Sequence, residues 1–227
     1  MPEQKQAAAT LLHEVEAKNR LKPAGIPVVE TRLAKTKAEA AAVSKEIGYP
    51  VAMKILSPDI SHKTEAGGVK LNLMNASQVG KAYSEMMASV KEKAPGAKIE
   101  GVSIQKMAEP GVEIIIGMSR DAQFGPVLMF GLGGIFVEIM KDVSFRLVPV
   151  APIDAAEMVR EIKGYPLLTG YRGQAPVDVK KLEALITRVS DFIEQNPDIE
   201  ELDLNPVIAS ADGVVAVDAR ILVKASY

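Results

Sequence analysis

Residues 61 to 71 read "SHKTEAGGVKL" and place His62 shortly before a glycine pair, Gly67 and Gly68. The preceding Ser57-Pro58-Asp59 is turn-prone, so residues 57 to 67 form a loop between two strand-like stretches. Near neutral pH an imidazole can act as base, metal ligand or nucleophile. Paired glycines let backbone amides approach a phosphate closely. A solvated loop histidine is the other reading that spacing allows. His13 falls on a helical pattern without clustered acids and reads as structural.

Further polar residues stand inside apolar strands. In "VAMKIL" (51 to 56), alternation puts Val51, Met53 and Ile55 on one face and Ala52, Lys54 and Leu56 on the other. An ammonium there either belongs to an edge strand and snorkels to water, or needs an anionic partner to offset its desolvation. Glu113 within "VEIII" and Glu138 within "FVEIM" repeat the anomaly.

The C-terminal stretch carries a third signal. A turn at Ser210 to Gly213 sets an antiparallel register that pairs Ala209 with Val214, Asn205 with Asp218 and Asp203 with Arg220. Directly opposed Cβ atoms lie about 4.5 to 5.5 Å apart, so Asn205 and Asp218 can share one hard cation such as Mg2+. Asp203 either pairs with Arg220 or adds a ligand. The polar face of an exposed hairpin is the alternative.

Composition narrows the chemistry. The chain has 227 residues, no cysteine, two histidines and a formal net charge of -2. Thiolate catalysis, disulfides and sulfur-ligated zinc are excluded, and no basic stripe offers a nucleic-acid footprint. No nucleophile-elbow serine, GxxxxGK[ST] motif or metal-spaced histidine pair occurs. "GLGG" (131 to 134) precedes a strand-like stretch instead of a helix, which makes it a tight connection or room for a ligand, not a dinucleotide fingerprint. The N-terminus lacks the pattern of a secretory signal. The apolar stretch from Phe124 to Met140 is interrupted by Pro126, four glycines and Glu138, so no membrane segment is expected and the protein reads as cytoplasmic.

The elements that must hold these residues follow from periodicity. Strands are expected at 49–56, 68–74, 101–107, 111–118, 126–131, 135–140, 202–208 and 214–221. Short links at 108–111, 120–125 and 210–213 imply hairpins and a largely antiparallel or mixed sheet. Two amphipathic helices stand out, one capped by Ser77 and one carrying Leu182, Leu185, Ile186, Val189, Phe192 and Ile193 ahead of Pro197. Weaker helices are expected at about 3–21, 37–47 and 153–163. The class is α/β (α+β), with lobes of about 20–104 and 105–227.

The stretches "AGIPV" (24–28), "GYPVAMKILSPDISHKTEAGGVKL" (48–71), "GVSIQKM" (101–107), "GVEIIIGMSRDAQFGPVLMFGLGGIFVEIMKDVSFRLVP" (111–149), "ELDLNPV" (201–207) and "VVAVDARI" (214–221) span nearly the whole chain. Together they resemble the ATP-grasp subunit, usually called beta, of ADP-forming acetate (acyl) CoA ligases, relatives of succinyl-CoA synthetase. The "SRDAQFGPVLMFGLGG" block is the most specific part of the match.

The resemblance implies an ATP-grasp fold and the reversible reaction acyl-CoA + phosphate + ADP to acid + CoA + ATP. It makes His62 a phosphohistidine on a swinging loop and puts Lys54 on the nucleotide phosphates, with Gly67 and Gly68 admitting phosphate. It also assigns Gln105, Lys106 and Met107 to the adenine-side hinge, Glu113 to the ribose, Arg146 to a phosphate, and Asn205 with Asp218 to Mg2+. ATP or ADP is then a substrate. The partner is a CoA-binding alpha subunit in an α2β2 assembly, without which the chain is inactive. An ATP-grasp carboxylate-amine ligase without a histidine relay, and a non-catalytic nucleotide-binding module, are the alternatives.

Overall fold

The computed structural model describes residues 9–60, 63–134 and 141–224. The first half of the chain runs β1 (Ala9–Leu12), α1 (Glu14–Leu21), β2 (Thr31–Ala34), α2 (Lys37–Ile47), β3 (Val51–Leu56), β4 (Val69–Leu73), α3 (Ala76–Lys93) and β5 (Gly101–Lys106). The second half runs β6 (Val112–Asp121), β7 (Gly125–Leu132), β8 (Val143–Leu147), α4 (Pro152–Glu161), α5 (Tyr165–Leu168), α6 (Val179–Gln195), β9 (Ile199–Ala209), β10 (Val214–Ala216) and β11 (Arg220–Lys224). The chain divides into two compact units. One comprises residues 29–108, and the other joins residues 1–28 to residues 109–227.

In the 29–108 unit the strands follow the order β2-β5-β3-β4, all antiparallel. Val51, Met53, Ile55, Val102 and Ile104 face a core completed by Val79, Ala82, Met86 and Val90 of α3. The helix is capped two residues before the expected position, at Asn75. Asn75 accepts from the Gln78 amide at 3.0 Å, and the Gln78 side chain accepts from the Met74 amide at 2.7 Å. Asparagine's short carbonyl reaches the free first-turn amide, and the reciprocal bond outcompetes Ser77.

In the other unit β1-β11-β9-β6-β7-β8 form one sheet, with β10 also on β9, and every ladder is antiparallel. Ile114, Ile116, Leu128, Phe130, Leu202 and Leu204 project from one face onto the apolar stripe of α6 and onto Ala155, Met158 and Val159 of α4. Each such fully buried side chain contributes about 1.5 to 3 kcal/mol over leaving it in water.

Three expectations are corrected. Residues 9–12 are strand, and the first helix is confined to Glu14–Leu21, because Ala9–Leu12 pairs with Ile221–Lys224 and His13 caps the helix by accepting from the Glu16 amide. The 108–111 link is no hairpin, since β5 and β6 belong to different sheets. Residues 20–28 join the C-terminal unit, where Leu21 and Ile26 enter its core and Pro27 accepts from the Ala216 amide. The strand expected at 135–140 lies outside the described residues. Among the described residues, no helix is long and apolar enough to cross a membrane.

Candidate functional site

β3 lies between β5 and β4, so Lys54 is on an interior strand, only 8% exposed, and the edge-strand reading fails. It pairs with Ser103, and Gln105 pairs with Ala52 and Thr31, all on the face turned away from α2 and α3. Ser103, Gln105 and Thr31 are buried. The Ser103 hydroxyl finds no hydrogen-bond partner among the described residues. Such a group normally costs free energy unless something else satisfies it, so a buried lysine, hydroxyl and amide on one face constitute a donor surface. Ser103 had no sequence signal beyond its place in an alternating strand.

The Lys106 side chain and the Met107 amide both have partners within the fold. The Lys106 ammonium donates to the carbonyls of Gly48 and Tyr49 at 3.1 and 2.7 Å, and the Met107 amide donates to Pro50 at 3.1 Å. These bonds fix the entry of β3. The Lys106 side chain is therefore a structural tie.

His62 lies outside the described residues. Its flanks are anchored: Ile60 and Ala66 are buried in the unit's core, Asp59 accepts from the Lys98 amide at 2.7 Å, and the Glu65 carbonyl accepts from Lys93 at 3.0 Å. Gly67 and Gly68 do not present amides to a phosphate. Their N–H groups donate to Thr64 and Lys63 at 3.0 and 2.7 Å. A Cβ at Gly67, whose φ is +73°, would meet the Ser89 hydroxyl at 2.4 Å, and one at Gly68 would meet Ile55 Cγ2 at 2.4 Å. The glycines are required by packing against α3 and β3, which corrects their assignment as phosphate-admitting backbone.

The C-terminal hairpin keeps the expected register. Val214 pairs with Ala209 and Arg220 with Asp203. Between them, residues 217–219 leave the ladder, although the Val217 amide still donates to Pro206 at 2.9 Å. The expected ladder pair of Asn205 with Asp218 is therefore not formed; Asp218 stands in the strand break, and its carboxylate accepts from the Ala219 amide at 2.9 Å. Asp203 and Asn205 share the face opposite Leu202 and Leu204. Burial, followed by the nearby Asp218 carboxylate, pushes the Asp203 carboxyl above its ordinary range, against a smaller opposing pull from Arg220.

This oxygen donor set suits a hard cation. Among the described residues no three His, Cys, Asp or Glu side chains cluster as metal ligands. Mg2+ takes one or two protein oxygens and leaves positions to water and phosphate.

Glu113 is exposed and lies on the same sheet face as Asp203, because it pairs with Ile208 across a bulge that shifts the parity of β6 against β9. Gly133 donates to the Glu113 carbonyl at 2.8 Å, and a Cβ at Gly134 would meet the Glu113 carboxylate at 3.0 Å. Gly131 makes room for Asp142 and Val143 of its own unit. Arg146 pairs with Leu128 and so projects on the helix-bearing face, where it binds Glu161 and, at 3.5 Å, Glu157 of α4. It faces away from Asp203 and Asn205, and its phosphate assignment is corrected: two carboxylates already hold it.

Residues 3–223 match the ATP-grasp domain family, which fixes the class of the protein. The chain is 50% identical over 211 residues to the acetate–CoA ligase [ADP-forming] I subunit beta of Pyrococcus furiosus, covering 93% of this chain and 91% of that one. It is 46% identical to the acetate–CoA ligase [ADP-forming] I of Archaeoglobus fulgidus, covering 87% of this chain and 29% of that longer one. A solved Ca. Korarchaeum cryptofilum acetyl-coenzyme A synthetase 1, in complex with coenzyme A and Mg-AMPPCP and with a phosphohistidine segment pointing towards the nucleotide binding site, superposes with a TM-score of 0.84 at 46% identity, covering 94% of this chain and 92% of that one. The chain belongs to the beta subunits of the ADP-forming acetate–CoA ligases, within the ATP-grasp family.

Proposed function

We propose that this chain is the nucleotide-binding subunit of an ADP-forming acyl-CoA ligase, performing the phosphoryl half of acyl-CoA + phosphate + ADP to acid + CoA + ATP. The observation that carries this reading is the acid face of the C-terminal unit. There Asp203 and Asn205 on one face of β9, with Asp218 at the adjoining strand break, gather oxygen donors that suit a cation, which a nucleotide brings with its phosphates. Asn205 and Asp218 would hold Mg2+, with Asp203 beside them, and the bound cation would neutralise charge on the phosphates. Lys54, buried beside Ser103 and Gln105, donates to phosphate oxygens, Gln105 and the Met107 carbonyl serve the adenine side, and Glu113 takes the ribose.

His62 carries the phosphoryl group. An imidazole nitrogen attacks the phosphorus delivered by the partner. A new N–P bond forms as the donor's bond to phosphorus breaks, and a β-phosphate oxygen of ADP then displaces the imidazole to give ATP. The named relatives support this reading, one being a beta subunit and another bearing a phosphohistidine segment. The partner is a CoA-binding alpha subunit in a cytoplasmic α2β2 assembly. The Archaeoglobus relative, more than three times as long as the stretch it shares with this chain, supports the need for further domains.

Incubation with γ-labelled ATP and Mg2+ tests the relay. Label that is acid-labile, base-stable and absent from His62→Ala is expected. Nucleotide binding without labelling would favour a non-catalytic module, and unchanged turnover in His62→Ala a direct carboxylate-amine ligase. Acyl-CoA-dependent ATP synthesis should require the partner chain, and full activity of the isolated chain would refute that requirement.

A further inference from the structure

We propose that Lys18, on α1, is a positioning residue for Asp218, holding open the strand break that presents this carboxylate to the cation. The inference rests on the reading of Asp218 as a metal ligand. Lys18 is 1% exposed, deep under the sheet, between Ala17 and Leu21, which enter the unit's apolar core. Its ammonium bonds Glu14 at 2.7 Å and the Val217 carbonyl at 2.6 Å. Val217 immediately precedes Asp218.

Burying an ion pair is expensive, and two apolar side chains of similar volume would usually stabilise the fold at least as well. The pair therefore calls for a role beyond stability, and its geometry supplies one. An uninterrupted β10–β11 strand would put residues 217–219 into the ladder with β9. Instead the Val217 peptide is held from two sides, its N–H by the Pro206 carbonyl and its C=O by Lys18. The preceding Ala216 amide is held by Pro27. With the backbone on its N-terminal side pinned and its own carboxylate accepting from Ala219, Asp218 has little freedom to move away from Asp203 and Asn205. Glu14 supplies a counter-charge to the ammonium within the buried pair. Ligands fixed in this way by an outer shell bind metal more tightly than mobile ones.

The test uses the full-length chain in three forms: Lys18→Met, the double variant Glu14→Leu/Lys18→Met, and Asp218→Asn. The double variant removes the donor while leaving no uncompensated charge, which protects the experiment against a simple folding failure. In metal-free protein, hydrogen exchange read by mass spectrometry should rise in peptides covering 214–222. In calorimetric titrations with ADP, the Mg2+ concentration needed for tight binding should rise about tenfold, with metal-free ADP affinity unchanged. If Asp218→Asn raises the Mg2+ requirement while the folded double variant leaves it at the wild-type value, the positioning role is overturned and the metal assignment stands. If Asp218→Asn leaves the requirement unchanged, the metal assignment falls and the positioning role falls with it.

Discussion

In the 29–108 unit, the sheet face turned away from α2 and α3 carries Lys54 beside Ser103 and Gln105. In the other unit, the face turned away from α4 and α6 carries Glu113, Asp203 and Asn205, with Asp218 at the adjoining strand break. The first set sits inside an unbroken ladder and needs only strand alternation to be placed. The second sits where the ladder fails, and burial, followed by the nearby Asp218 carboxylate, raises Asp203. Donors to phosphate can thus be built into regular sheet at the cost of burial. A pocket for a cation needs carboxylates brought closer than a relaxed fold would choose, and so needs clamps.

Four substitutions probe this contrast, in decreasing order of effect. Lys54→Met should weaken nucleotide binding by about 1.5 to 3 kcal/mol, roughly tenfold to a hundredfold, because a charge-assisted bond to phosphate is lost. Calorimetry showing wild-type affinity would remove Lys54 from the donor face. Asp218→Asn should raise the Mg2+ requirement for ADP binding about tenfold while leaving metal-free binding little changed. A parallel loss without Mg2+ would mean that Asp218 acts through the fold instead.

Gly68→Ala forces a methyl against Ile55 and the Lys63 carbonyl, at 2.4 and 3.0 Å from the new Cβ. It should cost about 1 to 3 kcal/mol in chemical denaturation while leaving nucleotide affinity of the folded protein intact. A selective loss of affinity would restore the phosphate role of the glycine pair.

Arg146→Met should have the smallest effect, a fall in Tm of at most about 2 to 4 °C at pH 7, with unchanged nucleotide affinity. Bonding to Arg146 holds the Glu161 carboxyl below its ordinary range. A depressed carboxyl stabilises the fold above its unfolded pKa, and that contribution is lost as pH falls through the folded value. The Tm difference between wild type and variant should therefore shrink on acidification through the carboxylate range, and a constant difference would indicate lost packing alone.

Much of this was legible from local pattern. The strands at 49–56, 101–107 and 111–118 and the helix at 37–47 follow from alternation or from three-and-four spacing. The hairpin register through Asp203 and Arg220 follows from one turn at Ser210 to Gly213. The strands β1, β2 and β8 were missed. Each is only four or five residues long, and each is held by a partner remote in sequence or by a polar, weakly alternating ladder.

The sequence by itself determined the family, the element types over most of the chain and the hairpin register that pairs Asp203 with Arg220, because turns, alternation and motif spacing are local properties. Only the tertiary structure decided that Lys54 is interior, that Arg146 turns towards α4, that Gly67 and Gly68 serve packing, and that Lys18 reaches Val217 from 199 residues away. Those outcomes depend on which elements meet across the core and which hydrogen bonds are already spent, and neither is written in any short stretch of the chain.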